Sequence, residues 1–193
     1  MPDQVRHDEL LASDYIAAMP LPLGPLLALA ILLAMEGVAY AVHRWIMHGP
    51  GWALHKSHHA PRSGPFEAND WYAVVFAAPS LALFLIADGL ADPLWWVALG
   101  IAGYGLVYAL FHDVLVHRRL PHRLVPRSTY LKRLVQAHRL HHAVHGRDGA
   151  VSFGFLWAPR PEALKRQLRA STIRPGRPPA PAAAPRATPA PPA

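Results

Sequence analysis

Two groups of histidines repeat the same spacing along the chain. The first group is HRWIMH followed by HKSHH, and the second is HDVLVH followed by HRLHH. The chain has 13 histidines, 12 acidic residues and no cysteine, so any bound metal would be held through nitrogen or oxygen. Two ordered copies of one imidazole pattern indicate a metal site. The repeated positions are His43, His48, His55, His58, His59, His112, His117, His138, His141 and His142.

The number of imidazoles predicts how many ions they hold. A structural zinc takes four ligands, and a catalytic zinc takes three and a water. The ten repeated histidines therefore predict two ions with about five imidazoles each, or fewer where oxygen atoms bridge the ions. Neutral imidazole suits zinc, copper, iron and nickel, and the spacing alone does not choose among them.

The spacing also predicts local structure. Residues at i, i+3 and i+4 share one face of an α-helix, so the three histidines of HKSHH, and likewise those of HRLHH, are expected to project together as a tridentate claw. Histidines five positions apart diverge by about 140° on an ideal helix. The pair that opens each group therefore needs a bend, a π-bulge or a helix end, and π-bulges recur at functional sites.

Three apolar runs must position these histidines: residues 23–42, 71–87 and 94–111. Each run is close to the roughly 20 residues that cross a bilayer. The runs have almost no polar face, which the helices of a soluble bundle would need. The fold prediction is therefore an all-α integral membrane helical bundle with a histidine-rich di-metal site on its cytoplasmic side. Three buried helices of a soluble bundle are the alternative.

The charges that flank the runs predict the orientation. The segment before the first run and the DGLADP turn are mainly acidic, whereas the segments after the first and third runs are rich in Lys and Arg, which mark the cytoplasmic side. We expect a multi-pass protein of the cell inner (cytoplasmic) membrane with its histidine groups on the cytoplasmic side. The net charge of +7 does not predict nucleic-acid binding, because such a binder would carry a basic stripe on a soluble fold.

The domain organisation follows from these runs. We expect residues 1–22 to form an extracytoplasmic segment and residues 23–174 to form the membrane-embedded domain. The Pro/Ala-rich residues 175–193 are expected to be a disordered tail, because they have too few apolar side chains to form a core.

Several polar residues outside the repeat are candidates for orienting ligand histidines through hydrogen bonds. Glu36 lies inside the first run, where an ionisable residue is a functional candidate. It is expected either to hold a ligand histidine or to pair within the bundle. Asn69, Asp70 and Asp113 are candidates for the same role, and so is His145, which lies four positions after a repeated histidine.

The residues around the histidines resemble the bacterial β-carotene hydroxylases of the fatty acid hydroxylase/sterol desaturase superfamily of membrane non-haem di-iron enzymes. The resemblance covers roughly residues 26–168. It is carried by MEGVAYAVHRWIMHG, WALHKSHHAPRSGPFEANDWYAVVFA, HDVLVHRRLP and PRSTYLKRLVQAHRLHHAVHGRDGAVSFGFLWAP. This chain departs from the family pattern at His122, where an aromatic residue is more usual, and at His145, where a basic residue is usual. His7 is expected to be an ordinary surface histidine.

The resemblance implies hydroxylation of β-carotene at ring carbons 3 and 3′, giving β-cryptoxanthin and then zeaxanthin, with dioxygen and electrons from reduced ferredoxin. It also implies that residues 23–174 form a di-iron hydroxylase domain. By the same resemblance, the ten repeated histidines bind two non-haem iron ions, and no catalytic residue is expected beyond the metal site. Because a carotene lies in the bilayer, the active site is expected to open to lipid.

Other functions stay open at this point. A related carotenoid ketolase, or a lipid or sterol hydroxylase or desaturase, would share the histidine pattern. A metal-binding membrane transporter would need polar ligands at mid-membrane depth in several spans, and only Glu36 is ionisable there. A soluble hydrolase with two zinc ions would normally bridge them with carboxylates. A haem bound by two histidines would place them inside the spans, not beyond their ends.

Overall fold

The computed structural model describes residues 23–62 and 64–172. These residues form helices joined by loops, with no β-strand among them, so the predicted all-α class is confirmed. The α-helices are α1 (Leu23–Ala41), α2 (Trp52–His55), α3 (Trp71–Ile86), α4 (Pro93–Tyr108), α5 (Thr129–His142) and α6 (Pro161–Thr172). Helices α1 and α4 continue as π-helix through Val42–Met47 and Ala109–Val116, and Lys56–His59 and Ala68–Asp70 form short 3₁₀ helices. Predictions for residues 1–22 and 175–193 lie outside the described residues.

Three helical stretches are long and apolar enough to span a membrane: Leu23–Met47, Ala68–Ile86 and Pro93–Val116. They coincide with the three runs predicted from the sequence. Their apolar side chains largely face outward, as Leu33 and Leu85 show with 61% and 76% of their surfaces exposed. A bilayer would cover these surfaces. The structure therefore supports a membrane protein, while the cytoplasmic placement of the histidines stays a prediction from flanking charge.

Helix α4 is the central span and packs against both α1 and α3. Its start follows from Asp92, whose side chain accepts the N–H of Leu94 at 2.8 Å. Close packing against α1 requires a glycine, because a Cβ at Gly100 would lie 2.6 Å from the carbonyl oxygen of Ala28. Ser80 of α3 donates a hydrogen bond of 2.9 Å to a carbonyl of α4. The three spans thus form one bundle in which α1 and α4 run in the same direction.

The π-helical turns bring the two histidines that open each group, which are five residues apart, to the same side of the helix. The N–H of His48 donates to the carbonyl of His43 at 3.1 Å, and the N–H of His117 donates to the carbonyl of His112 at 2.9 Å. These five-residue hydrogen bonds widen the turn, so that residues five apart lie one above the other. The π-bulge was one of the three local structures that the sequence predicted for these pairs.

The histidines lie at one end of the bundle, where the remaining elements cover them. Ser128 begins α5 by accepting the N–H of Leu131 at 3.2 Å. Residues 143–160, here called the covering segment, run from α5 to α6 without regular structure. Val151, Phe153 and Phe155 of this segment are buried against the bundle. The hydrophobic core of the described residues is therefore concentrated beside the histidines.

Candidate metal centre

All ten repeated histidines converge into one region at the end of the spans. Eight are buried, and His117 and His142 are partly buried. Such a concentration of imidazoles away from water is costly unless each ring has a partner. The distances between Nε2 atoms divide the ten histidines into two neighbouring clusters, here called site A and site B.

Site A gathers five Nε2 atoms. The Nε2 atoms of His43 and His55 are 3.2 Å apart, those of His48 and His141 are 3.2 Å apart, and those of His55 and His59 are 3.3 Å apart. Four of these five rings have ligand atoms that all lie within 4.8 Å of one another, namely those of His43, His48, His55 and His141.

Site B gathers the other five. Its Nε2–Nε2 distances are 2.9 Å between His58 and His112, 3.0 Å between His117 and His138, and 2.9 Å between His138 and His142. The ligand atoms of His58, His112, His117 and His138 again lie within 4.8 Å of one another. The two sites adjoin, because the rings of His59 and His142 stack with their centroids 4.6 Å apart.

The predicted tridentate claws were wrong, because each triplet divides between the sites. In HRLHH, His138 and His142 enter site B while His141 enters site A. In HKSHH, the first and third histidines enter site A and the middle one enters site B. On the α-helix α5, residues i and i+4 are about 40° apart, whereas i+3 lies about 60° to the other side of i, so His138 and His142 share a site and His141 points to its neighbour. HKSHH divides in the same way, although it was expected on one α-helix and lies instead on the end of α2 and a 3₁₀ turn, Lys56–His59.

Backbone carbonyls of the covering segment orient four of the five site A rings. In each case the imidazole Nδ1–H donates to a carbonyl oxygen, which can only accept. The pairs are His43 with Phe153, His48 with Arg147, His59 with Val144 and His141 with Val151, at 2.8, 2.8, 2.8 and 2.9 Å. The fifth ring, His55, donates from Nδ1 to the Asn69 side-chain oxygen at 2.7 Å.

These contacts test whether site A fits a metal. A neutral imidazole with its hydrogen on Nδ1 presents a bare lone pair at Nε2. The Nε2 atoms of His48 and His141 therefore face each other with two lone pairs at 3.2 Å, which repel unless a cation lies between them. Two nitrogens each about 2.1 Å from one ion and at right angles would be about 3.0 Å apart. The donor set of site A thus fits a metal ion.

Site B differs in the groups that surround it. His58 donates from Nδ1 to Glu67 at 3.1 Å, and His112 donates to Asp113 at 2.8 Å. Arg119 links these carboxylates, with contacts of 3.3 Å to Glu67 and 3.6 Å to Asp113. The Nδ1 of His138 is buried and has no hydrogen-bond partner within the described part of the chain. Site A is thus surrounded mainly by neutral carbonyls, whereas site B is surrounded by charged side chains.

Burial keeps the histidines outside the spans in the neutral form that binds metal. Burial lowers the pKa of His55 to about 3, that of His59 to about 4 and that of His117 to about 3. It also lowers the pKa of His138 and of His141. These rings are therefore neutral at pH 7, and they can bind a cation without first losing a proton.

Two of the five residues predicted to orient ligand histidines contact a histidine through a hydrogen bond. Asn69 and Asp113 contact histidines as described above, whereas Asp70 contacts Arg119 at 2.7 Å and reaches no histidine by a hydrogen bond. Glu36 also contacts no histidine among the described residues, and it binds the covering segment instead. His145 is exposed and makes no hydrogen bond within the described ranges.

Two side chains of the site were missed from the sequence. Glu67 orients His58 by accepting its Nδ1–H, and Arg119 joins Glu67 to the other carboxylates beside site B. The one available signal was FEAND, where Glu67 and Asp70 form a reciprocal capping box. His122 has a structural role, because its Nε2 donates to the Val114 carbonyl at 2.6 Å.

One cavity lies beside the histidine sites and a second is lined by histidines of both sites. The first, of about 470 Å³, lies among α1, α3 and α4. Its walls are mainly apolar, and Asn69, Tyr108 and Asp113 mark the end beside the sites. The second, of about 410 Å³, is lined by histidines of site B and by His59 of site A, and charged side chains such as Arg62 and Arg139 also line it. One route thus approaches the centre between the spans and the other approaches it from the polar side.

Comparison with known proteins finds close relatives. The fatty acid hydroxylase family matches residues 28–158. A β-carotene hydroxylase of Paracoccus sp. (strain N81106 / MBIC 01143) is 53% identical over 149 residues, which are 77% of this chain and 92% of the relative. One of Pseudescherichia vulneris is 53% identical over 154 residues, which are 80% and 86% of the two chains. The chloroplastic β-carotene 3-hydroxylase of Haematococcus lacustris is 41% identical over 141 residues, which are 70% and 43%. No solved structure matches the chain significantly.

Proposed function

The chain belongs to the fatty acid hydroxylase family, and on that premise we propose that it hydroxylates β-carotene at ring carbons 3 and 3′, giving β-cryptoxanthin and then zeaxanthin. The observation that carries the proposal is the convergence of ten imidazoles, in two clusters, at the end of a largely apolar cavity between membrane-spanning helices. The relatives named β-carotene hydroxylase support the choice of substrate.

Two iron ions are the proposed cofactors. Site A would hold one through its five histidines, and site B would hold the other through its five. When bound, the iron pair supplies the activation of dioxygen: one oxygen atom enters the C–H bond, and the other leaves as water with two electrons and two protons. The remaining residues bind the substrate, orient the ligands and exclude water from the reacting carbon.

The apolar cavity is the proposed binding site for one end of the carotenoid. Its volume of about 470 Å³ holds roughly 15 water-sized groups. That is enough for one ring with its methyl groups and the start of the polyene. The rest of the molecule, a rod about as long as the roughly 30 Å hydrocarbon core, would stay in lipid. The two rings are therefore expected to enter in separate binding events.

Electrons are proposed to arrive from the polar side. Arg62 and Arg139 line the cavity that reaches site B there, and this positive charge suits an acidic ferredoxin-type donor. The Lys and Arg residues that flank the spans support the proposal that this side faces the cytoplasm and that the protein lies in the inner membrane. In this arrangement the reductant approaches the centre from water, whereas the carotenoid approaches it from the bilayer.

The test combines product analysis with metal analysis. The chain is expressed in cells that accumulate β-carotene, and their pigments are separated by chromatography. We expect zeaxanthin from the wild type and from Val125→Ala, a control at an exposed residue outside both cavities, and unchanged β-carotene from His141→Ala. The purified wild type should contain two iron ions per chain. Ketocarotenoid products, or an active sample without iron, would contradict the proposal and favour a related enzyme or another metal.

A further inference from the structure

We propose that Glu36 is a positioning residue for site A, because it holds the segment whose backbone carbonyls orient the site A imidazoles. The inference rests on the proposed two-metal function and goes beyond it by assigning control of one site to a membrane-embedded carboxyl group. Glu36 lies on α1, two turns before His43, and contacts no histidine among the described residues.

Both oxygens of Glu36 act as acceptors for groups from other elements. Oε1 accepts the backbone N–H groups of Phe155, Leu156 and Trp157 at 2.8, 2.9 and 3.1 Å. Three successive N–H groups that point at one oxygen form an anion-binding nest. Oε2 accepts the hydroxyl of Tyr104 on α4 at 2.9 Å. Glu36 therefore ties the covering segment to two membrane-spanning helices.

The covering segment has an unfavourable backbone conformation at Ser152, just before the nest, and it therefore needs the hydrogen bonds to Glu36 to hold it in place. Ser152 has φ 60°, a left-handed conformation that a residue with a side chain rarely adopts. Its buried hydroxyl has no hydrogen-bond partner in the portion of the chain that the structure describes. The carbonyls on either side of it, those of Val151 and Phe153, accept from His141 and His43. If the segment relaxed to an ordinary φ, these two carbonyls would turn away from their imidazoles.

The effect on the hydrogen bonds of the imidazoles should be confined to site A, although the Phe155 ring packs against His112 and His138 of site B as well as against His43 of site A. Site B takes its orienting groups from Glu67 and Asp113, which lie on other parts of the chain and make no contact with Glu36. Loosening the covering segment therefore removes acceptors from site A and leaves those of site B in place. Loss of a ligand's hydrogen-bond partner typically lowers metal affinity by about 10–100-fold.

Gly154 offers an independent way to separate the segment from the carboxyl group. A Cβ at this position would lie 2.7 Å from Glu36 Oε1 and 2.7 Å from the Trp157 carbonyl oxygen. Neither contact can be accommodated without movement. Gly154→Ala should therefore push the covering segment off Glu36 although the carboxyl group is still present.

The experiment compares Glu36→Met, Glu36→Gln and Gly154→Ala in the full chain loaded with ⁵⁷Fe. Methionine is similar in length but has no acceptor oxygen. Glutamine keeps Oε1 for the three N–H groups and can donate from its amide to the Tyr104 oxygen. Mössbauer spectra report the two iron environments separately, and release of iron to a chelator reports affinity.

We expect Glu36→Met and Gly154→Ala to change the Mössbauer spectrum of about half of the iron in the fully loaded protein, and to accelerate the release of iron to the chelator by roughly tenfold or more. The unchanged half serves as the control for folding, and Glu36→Gln should restore most of the wild-type behaviour. Equal changes in both halves, no change in either, or a glutamine variant that behaves like methionine would overturn the role of Glu36. A wild type that binds fewer than two irons would instead overturn the two-iron function and this inference with it.

Discussion

Filling the apolar cavity from its wall should block the carotenoid without disturbing the metal sites. Gly105 on α4 lines this cavity, and a Cβ added there would meet no atom within 4 Å. Gly105→Leu therefore extends a side chain into open space. The matched control is Gly37→Leu on α1, because Gly37 is exposed, lies outside the cavity lining and also has no atom within 4 Å of its added Cβ.

The expected size of the effect follows from volume. Four added carbons, each comparable to a water with its ~30 Å³ share of liquid, occupy on the order of 100 Å³. That is about a fifth of the 470 Å³ cavity. Overfilling a packed apolar site costs about 1–3 kcal/mol. If the ring must overcome this cost in order to reach the centre, kcat/KM falls by about 5- to 150-fold.

Both variants gain the same helix propensity, so a difference between them reports the cavity. The assay is conversion of β-carotene by membranes that contain equal amounts of each variant, with iron content measured in parallel. We expect Gly105→Leu to accumulate unconverted β-carotene while it retains wild-type iron, and Gly37→Leu to convert normally. Equal conversion by both variants would show that the substrate does not enter this cavity.

Three further predictions concern the histidine sites. Asn69→Leu removes the acceptor for His55 and should lower iron affinity by about 10–100-fold in a chelator competition, whereas Asn69→Asp should restore it; a leucine variant that binds iron as tightly as the wild type would show that this contact is dispensable. Asp113→Asn reduces the negative charge beside His112 and should raise the reduction potential of one iron only, in a redox titration followed by Mössbauer spectroscopy; a shift of both irons would contradict separate surroundings. The metal-free protein should unfold at lower temperature as the pH falls below about 6.5, because the unfolded chain then binds protons that His55 and His59, with pKa values of about 3 and 4, still exclude in the folded state. A melting temperature in detergent that stayed constant between pH 7 and pH 4 would count against this.

Much of the fold was predictable because its signals are local. Hydropathy over a window of about 20 residues located the three spans. The five-residue spacing of His43 and His48 limited the backbone to a few local structures, and one of these, a π-helical turn, is what the structure has. The repeat of the spacing identified the residues that converge, since chemistry of this kind needs particular side chains at particular intervals.

The division of histidines between the sites was not predictable, because it depends on how separate helices pack. His58 and His59 are neighbours in sequence, yet they enter different sites. The hydrogen-bond partners of the site A rings were also not predictable from the sequence. A backbone carbonyl is present at every residue, so nothing in the letters of Val144 or Arg147 distinguishes them as acceptors. Glu36 looked like a partner of a histidine because of its depth in the span, whereas it acts on the segment that covers the histidines.

The interleaving of the two triplets has a consequence for how the centre assembles. Since HKSHH and HRLHH each supply rings to both sites, an ion that binds at one site fixes two chain segments that the other site also requires. The second ion then meets ligands whose conformational freedom is already reduced, so its uptake costs less ordering entropy. We therefore expect metal loading to show positive cooperativity, with few molecules that carry a single ion.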